Sequence, residues 1–363
     1  MRKKPAGGAS RAGRELDPAA LRASLMRRVG RRSAATMRLT LPAVPSLVES
    51  YVAMLSTTLA ALGRALDATR QGELREQLSR AVATSWQTSP HGNIVVRLDA
   101  DAAGQGTFSA TVAATPSTIQ AQYDEWVATR EPPFFGTFPD ARLMALLPTL
   151  GEPAQARVLD VGAGTGRNAL ELGRQGFPVD FIEPAEPFAR TVLAGAADED
   201  LPVTRLAVDF LAPAPPAEPR YRLVLLSEVT SHFRSPAELR RLCERAAEVL
   251  LPGGYLLFNV FETVEGYTPD TLARELSQAF WSTLFTPSEL GAAVAGLPLR
   301  LTSREPVGAY EKTHLPEEAW PPRTWYPEWV GGLDVFDLPE GRPPVEMTWL
   351  LYQRVLRPAS PRG

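Results

Sequence analysis

Cysteine is almost absent from this chain of 363 residues. Cys243 stands alone, which excludes a disulfide framework and any site built from several thiolates. Histidine is nearly as scarce: His91, His232 and His314 are scattered, with no neighbouring carboxylate at a ligand spacing. No metal is therefore expected. No apolar run reaches the ~20 residues that span a bilayer, and the first residues lack the hydrophobic core of a secretory signal. A cytoplasmic, reducing setting without a membrane partner is the expectation. The net charge is only −3, so the molecule as a whole has no pull on polyanions and nucleic acid is not expected as a partner.

The charge that is present is unevenly placed. Residues 1–40 hold 11 Lys and Arg against 2 acidic residues, leaving 27 against 39 for the remainder. Rich in Arg, Ala, Ser and Gly, they read as an unstructured basic tail. An RNA-binding arm or an Arg-rich transit peptide would share that composition.

From Pro45 onward Leu47, Val48, Tyr51, Met54, Leu55, Leu59 and Leu62 recur at helical spacing, and a second helix runs from Glu73 to Trp86. NIVVRLDA and GTFSATVAA then read as a hairpin, so 45–115 is predicted as a small α+β domain. His91, in the turn before the hairpin, reads as a surface residue. Residues 116–150 are predicted as two helices around a Pro-Pro-Phe-Phe-Gly break, with Tyr123, Trp126, Phe134, Phe135 and Phe138 as an aromatic cluster. These rings either close over a ligand or pack one domain on the next. Tyr123 and Trp126, three apart, share a helical face.

Over 151–356 strands and helices alternate, the pattern of a doubly wound sheet. The stretch RVLDVGAGTGRNAL, 157–170, organises it: a β-prone start, Asp160, then Gly162, Ala163, Gly164 and Gly166, then a helical pattern. Bare backbone and a helix N-terminus suit a nucleotide-like ligand. A dinucleotide fingerprint would place its third glycine where this chain has Arg167. Further strands are predicted at 178–184, 203–210, 222–229, 255–261, in PLRLTSREPVG and at 345–355. Acids end two of them: Glu183, suited to ribose hydroxyls, and Asp209, suited to an amino group, with Phe210 beside it to pack on a ring.

The order acidic-x-G-x-G-x-G resembles the first motif of class I methyltransferases that use S-adenosylmethionine. The resemblance implies a seven-stranded Rossmann-like sheet with an antiparallel last strand. It also implies that Asp160, Glu183 and Asp209 receive the methionine amine, the ribose and the adenine. SEVTSHF, 227–233, is similar to the E-V-x-x-H stretch of small-molecule methyltransferases, including quinone-pathway enzymes. Ser227 and Glu228 would then line the cofactor, and His232 would stand where methyl group and acceptor meet, as general base or as a shaper of the pocket. LLPGGYLLFNVF resembles a later signature of the family.

The insertion 309–336 carries Tyr310, His314, Trp320, Trp325, Tyr326, Trp329 and Phe336, either a flap over substrate or a packing surface. Its five acidic residues discourage nucleic acid. The expected chemistry is methyl transfer from S-adenosylmethionine to an O or N acceptor. The catalytic pair would be His232 and Tyr123, with Trp126, Phe135, His314 and Trp325 on the substrate. The expected acceptor is a small apolar or aromatic metabolite. The alternatives are a protein or peptide substrate, a S-adenosylmethionine-binding regulator, and, more remotely, an NAD enzyme.

Overall fold

The computed structural model describes residues 17–32, 35–100, 108–212 and 218–356. The chain divides into two units. The first takes in Met1–Leu41, Leu47–Thr84 and Asn93–Thr115. Its elements are α1 (Pro18–Arg32), β1 (Ala35–Pro42), α2 (Val48–Ala61), α3 (Ala68–Thr88), β2 (Asn93–Ala100) and β3 (Phe108–Thr115), the ends of β1 and α3 falling in the second unit. The strands form one sheet in the order β1-β2-β3, with Asn93 opposite Thr115 in the hairpin. Ile94, Val96 and Leu98 alternate inward on β2, and α2 buries Tyr51, Val52, Leu55 and Leu59, the periods of two and of three to four that a half-buried strand and an amphipathic helix require.

Composition alone misread residues 17–40. They form α1 and β1 rather than an unstructured tail, because Met37, Leu39 and Leu41 are half-buried and alternate with exposed Thr36, Arg38 and Thr40. Residues 1–16 of that tail, and the glycine-rich link between the hairpin strands, lie outside the described residues.

The second unit takes in Pro42–Ser46, Ser85–Gly92 and Pro116–Gly363. It opens with α4 (Ile119–Thr129) and α5 (Ala141–Leu146). Then strand and helix alternate: β4 (Val158–Val161), α6 (Arg167–Arg174), β5 (Val179–Ile182), α7 (Glu186–Asp198), β6 (Val203–Arg205), β7 (Tyr221–Leu226), α8 (Pro236–Val249) and β8 (Leu250–Thr263). After these come α9 (Thr271–Ala279), β9 (Leu284–Phe285), α10 (Pro287–Val294), β10 (Leu299–Pro306), α11 (Val307–His314), α12 (Tyr326–Val330) and β11 (Val345–Arg354).

The sheet order is β10-β11-β8-β7-β4-β5-β6, with β9 pairing beside β8 as a short eighth strand. Strands β4 to β8 pair in parallel, whereas β11 runs antiparallel to both β8 and β10. This is the doubly wound sheet with an antiparallel last strand. The chain leaves β4 toward β5 and β6, then returns to its other side for β7 and β8. That reversal opens a crevice at the carboxyl end of β4. All four residues of β4 are buried, Val158 in one hydrophobic cluster and Leu159 in another, as expected for a strand covered on both faces.

Several strands are shorter than expected, and two boundaries have a visible cause. The strand predicted over 203–210 ends at Arg205. Arg205 is pulled aside by Glu186 (2.7 Å) and by the carbonyl of Glu183 (3.2 Å), and Asp209 closes a turn by accepting the Leu211 N–H at 2.9 Å. β8 begins at Leu250 rather than Tyr255, with both glycines inside it. A Cβ on Gly254 would stand 2.9–3.1 Å from the carbonyl oxygens of Leu251, Arg222 and Tyr221, so only a residue without a side chain fits there.

Candidate active site

A cavity of about 870 Å³ occupies the crevice. Its floor is the loop after β4. Gly162, Gly164 and Gly166 have φ of +77°, +55° and +92°, the left-handed region that side chains resist. A Cβ on Gly162 would collide with a methyl of Val229, and one on Gly164 would press on the Phe135 ring at 3.3 Å. Ala163 also faces the cavity.

The three predicted carboxylates line this one cavity, each held differently. Asp160, at the end of β4, is 2% exposed and its Oδ2 has no hydrogen-bond partner. Burial, with Asp140 and Glu183 nearby and Arg167 opposing, pushes it up to about 7. Glu183 is buried just past β5 and accepts the Gly164 N–H at Oε2 (2.8 Å) and the Ala185 N–H at Oε1 (2.7 Å). Burial raises its pKa against those two bonds, and each oxygen keeps a further lone pair for a ligand hydroxyl. Asp209 is exposed on the turn beyond β6, with buried Phe210 beside it.

Arg167, where a dinucleotide motif would have glycine, turns out to be the centre of a buried ion cluster. It pairs with Asp140 at 2.5 Å and with Glu228 at 2.8 Å, and donates to the Ser227 hydroxyl at 3.2 Å. Burial alone would lower its pKa, but Asp140 and Glu228 outweigh that and keep it protonated. Burial lifts Glu228 to about 7, with Arg167 opposing and Asp140 reinforcing. Glu228 adopts φ +62°, a strained conformation for a side-chain-bearing residue. Its N–H donates to Asn259 Oδ1 at 2.7 Å, while the Asn259 carbonyl accepts the Thr230 hydroxyl at 2.6 Å. Asn259 thus fixes the bend that presents Ser227 and Glu228 to the cavity. A lone Asn inside an apolar strand was the sequence signal for it.

The opposite wall is aromatic. His232 ends a single 3₁₀ turn, and its Nε2 lies 3.1 Å from the Tyr123 hydroxyl of α4. Its buried Nδ1 has no partner. Burial, with His91 adding to it, pushes the imidazole down to about 3, so it is neutral across the physiological range. Burial and the charges of Glu183 and Glu228 drive the Tyr123 phenol well above its ordinary value. Trp126, Phe135 and Trp325 also line the cavity, with Trp126 at 5.4 Å from the Tyr123 ring.

Trp281 on this wall and His91 behind it had no signal in the sequence. Trp281 faces the cavity in a left-handed conformation, φ +59°. Its ring meets His232 edge-on at 4.9 Å and stacks on His91 at 3.7 Å and 9°. His91 is therefore not a surface residue: it is 7% exposed, with Nδ1 at 3.3 Å from the Ala279 carbonyl, and burial lowers its pKa to about 4. His314 departs from expectation in the other direction. It is exposed on α11, stacked on Tyr310 at 4.1 Å, and does not line the cavity. The insertion divides its roles: Trp325 and Trp329 face the cavity, while Tyr326, Trp329 and Val330 join the core cluster.

Residues 135–294 match the family described as a methyltransferase domain. Over this segment the chain is similar to methyltransferase domains. The ubiquinone biosynthesis O-methyltransferase of Caulobacter sp. (strain K31) is 29% identical over 152 residues, which is 39% of this chain and 59% of the relative. The enzyme of the same description from Alkalilimnicola ehrlichii is 28% identical over 169 residues, 44% of this chain and 67% of its own. The chain thus spans about three-fifths of the first of these relatives. Among solved structures, a geranyl diphosphate C-methyltransferase from Streptomyces coelicolor A3(2) is similar at 15% identity and a TM-score of 0.44, covering 59% of this chain and 78% of that one.

The cavity suits S-adenosylmethionine. The bare loop admits a ligand against the backbone, and Glu183 has lone pairs to spare for a ribose. The unpartnered oxygen of Asp160 awaits a donor. The unpartnered Asp160 oxygen suits a cationic donor, and aromatic faces suit a sulfonium. Among the described residues no cluster of His, Cys, Asp and Glu could hold a metal ion.

Proposed function

We propose that the protein transfers the methyl group of S-adenosylmethionine to an oxygen of a small, largely apolar aromatic acceptor. A single observation carries this reading: one cavity joins the glycine loop and its buried acids to the Tyr123–His232 pair and a ring of aromatic side chains. The names of the O-methyltransferase relatives support oxygen over nitrogen. Cavities of this size, apolar with a few polar anchors, are typical of small-molecule sites.

S-adenosylmethionine, when bound, supplies an electrophilic methyl carbon and departs as the neutral thioether S-adenosylhomocysteine. Asp160 and Glu183 hold the methionine amine and the ribose, Asp209 the adenine, and Phe210 packs on the ring. On the far side, the aromatic wall excludes water and stacks the acceptor, so that alignment provides much of the acceleration. In the tautomer with its hydrogen on Nδ1, His232 offers the Nε2 lone pair to the acceptor O–H, in the place taken by the Tyr123 hydroxyl in the free site. An imidazole of such low basicity does not deprotonate a phenol beforehand. As the O–C bond forms and the S–C bond breaks, the O–H becomes strongly acidic, and the same nitrogen then takes the proton.

Incubating the protein with methyl-labelled S-adenosylmethionine and a panel of catechols and hydroxylated quinones tests the proposal. Label is expected in the small-molecule extract. Label confined to protein when cell lysate is added would replace this reading with a protein-methylating one.

A further inference from the structure

Helix α1 is exposed along its described length. Asp17 closes its start, accepting the Ala19 N–H at Oδ1 (2.9 Å) and the Leu21 N–H at its carbonyl (3.0 Å). The helix itself, PAALRASLMRRVGRR, holds Arg22, Arg27, Arg28, Arg31 and Arg32 and no acidic residue. Every residue from Asp17 to Val29 is exposed, and Leu21, Leu25, Met26 and Val29 are 46%, 68%, 63% and 60% so. At about 100° per residue, Leu21 and Leu25 lie within ~40° of each other, with Arg28 ~20° to one side of the stripe they start and Arg22 bordering the other. A helix of 15 residues is marginal in water by itself. Here none of residues 17–29 is buried, so a partner that covers the stripe would stabilise it.

We propose that α1 docks on an anionic lipid surface, lying in the plane of the interface. The apolar stripe would reach the boundary between headgroups and acyl chains, and the arginines beside it would pair with phosphates. Charge complementarity selects this occupant: a helix with several arginines and no acid on a chain of net charge −3. Among the described residues no helix is long and apolar enough to cross a membrane, and a helix that lies on a bilayer needs no such length. This departs from the sequence expectation of no membrane partner. An RNA would satisfy the arginines and leave the leucines in water.

Flotation of the full chain with vesicles tests this. Binding is expected to vesicles containing phosphatidylglycerol, not to pure phosphatidylcholine, and to weaken with added salt. Leu21→Glu with Leu25→Glu should lower it at least about tenfold. Arg22→Gln and Arg28→Gln should each lower it about fivefold. S-adenosylmethionine binding by calorimetry should be unchanged in all of them, showing that the fold is intact and the site separate. Equal flotation of wild type and the double-Glu variant would overturn the proposal. So would retention on poly(U) RNA without vesicle binding, or self-association abolished by the same variants without vesicle binding.

Discussion

The two walls of the cavity are built on opposite principles. The glycine-loop wall comes from short, contiguous stretches: Asp160 to Arg167 on one strand–helix turn, and Glu183 at the next strand end. The aromatic wall gathers Tyr123, Trp126, Phe135, His232, Trp281 and Trp325 from four distant segments. The first wall is rigid backbone whose shape glycine permits, and the second is side chains that hold one another. The proposed division of labour follows: cofactor on the first wall, acceptor on the second.

Breaking the backbone wall should have the largest effect. Gly162→Ala places a Cβ against Val229 in a left-handed conformation; S-adenosylmethionine affinity by calorimetry is expected to fall on the order of 100-fold. Asp160→Asn should cost roughly thirtyfold by removing the charge-assisted bond. The pH dependence sharpens this. With Asp160 at about 7 in the free site, a cationic ligand favours its ionised form, so affinity should rise from pH 6 to pH 8 with proton release, and the Asn variant should flatten that rise. The same shift acts on folding. The folded pKa lies above the unfolded one, so the relative stability present below about 4 is lost as pH rises to about 7. Thermal melts of Asp160→Asn should show a smaller decline, the part due to Glu228, also raised to about 7, remaining.

The aromatic wall should respond in turnover rather than in cofactor affinity. Tyr123→Phe removes the hydroxyl beside His232 and should slow S-adenosylhomocysteine formation about fivefold. His91→Ala withdraws the stacked support of Trp281 and should slow it about threefold. His314→Ala, outside the cavity, should change it less than about twofold; a larger loss would mean that α11 reaches the substrate.

The same contrast explains what was legible. A strand that ends in Asp160 and enters glycines declares both its geometry and its ligand, because the chemistry needs neighbours in sequence. The alternation of strands and helices declares the sheet for the same reason. Arg167 was visible only as a mismatch to a dinucleotide motif; its partners Asp140 and Glu228 lie far off in the chain. His91 and Trp281 carried no signal, since their pairing across 190 positions exists only once the chain has folded. Residues 17–40 were misread because arginine-rich composition outweighed a short apolar alternation.

Arg167 ties α6 to Asp140, the Asn168 amide donates to the same carboxylate at 2.8 Å, and Glu311 accepts the Ala141 and Arg142 N–H groups that open α5. Helix α4 has no ion-pair mooring among the described residues and buries none of its residues fully; rings, the Tyr123 hydroxyl and the Gln122 amide, which donates to the His91 carbonyl at 2.9 Å, hold it in place. Traffic into the crevice thus falls to α4, which can swing aside for the price of two hydrogen bonds and a few ring contacts, while α5 stays clamped to the loop it borders.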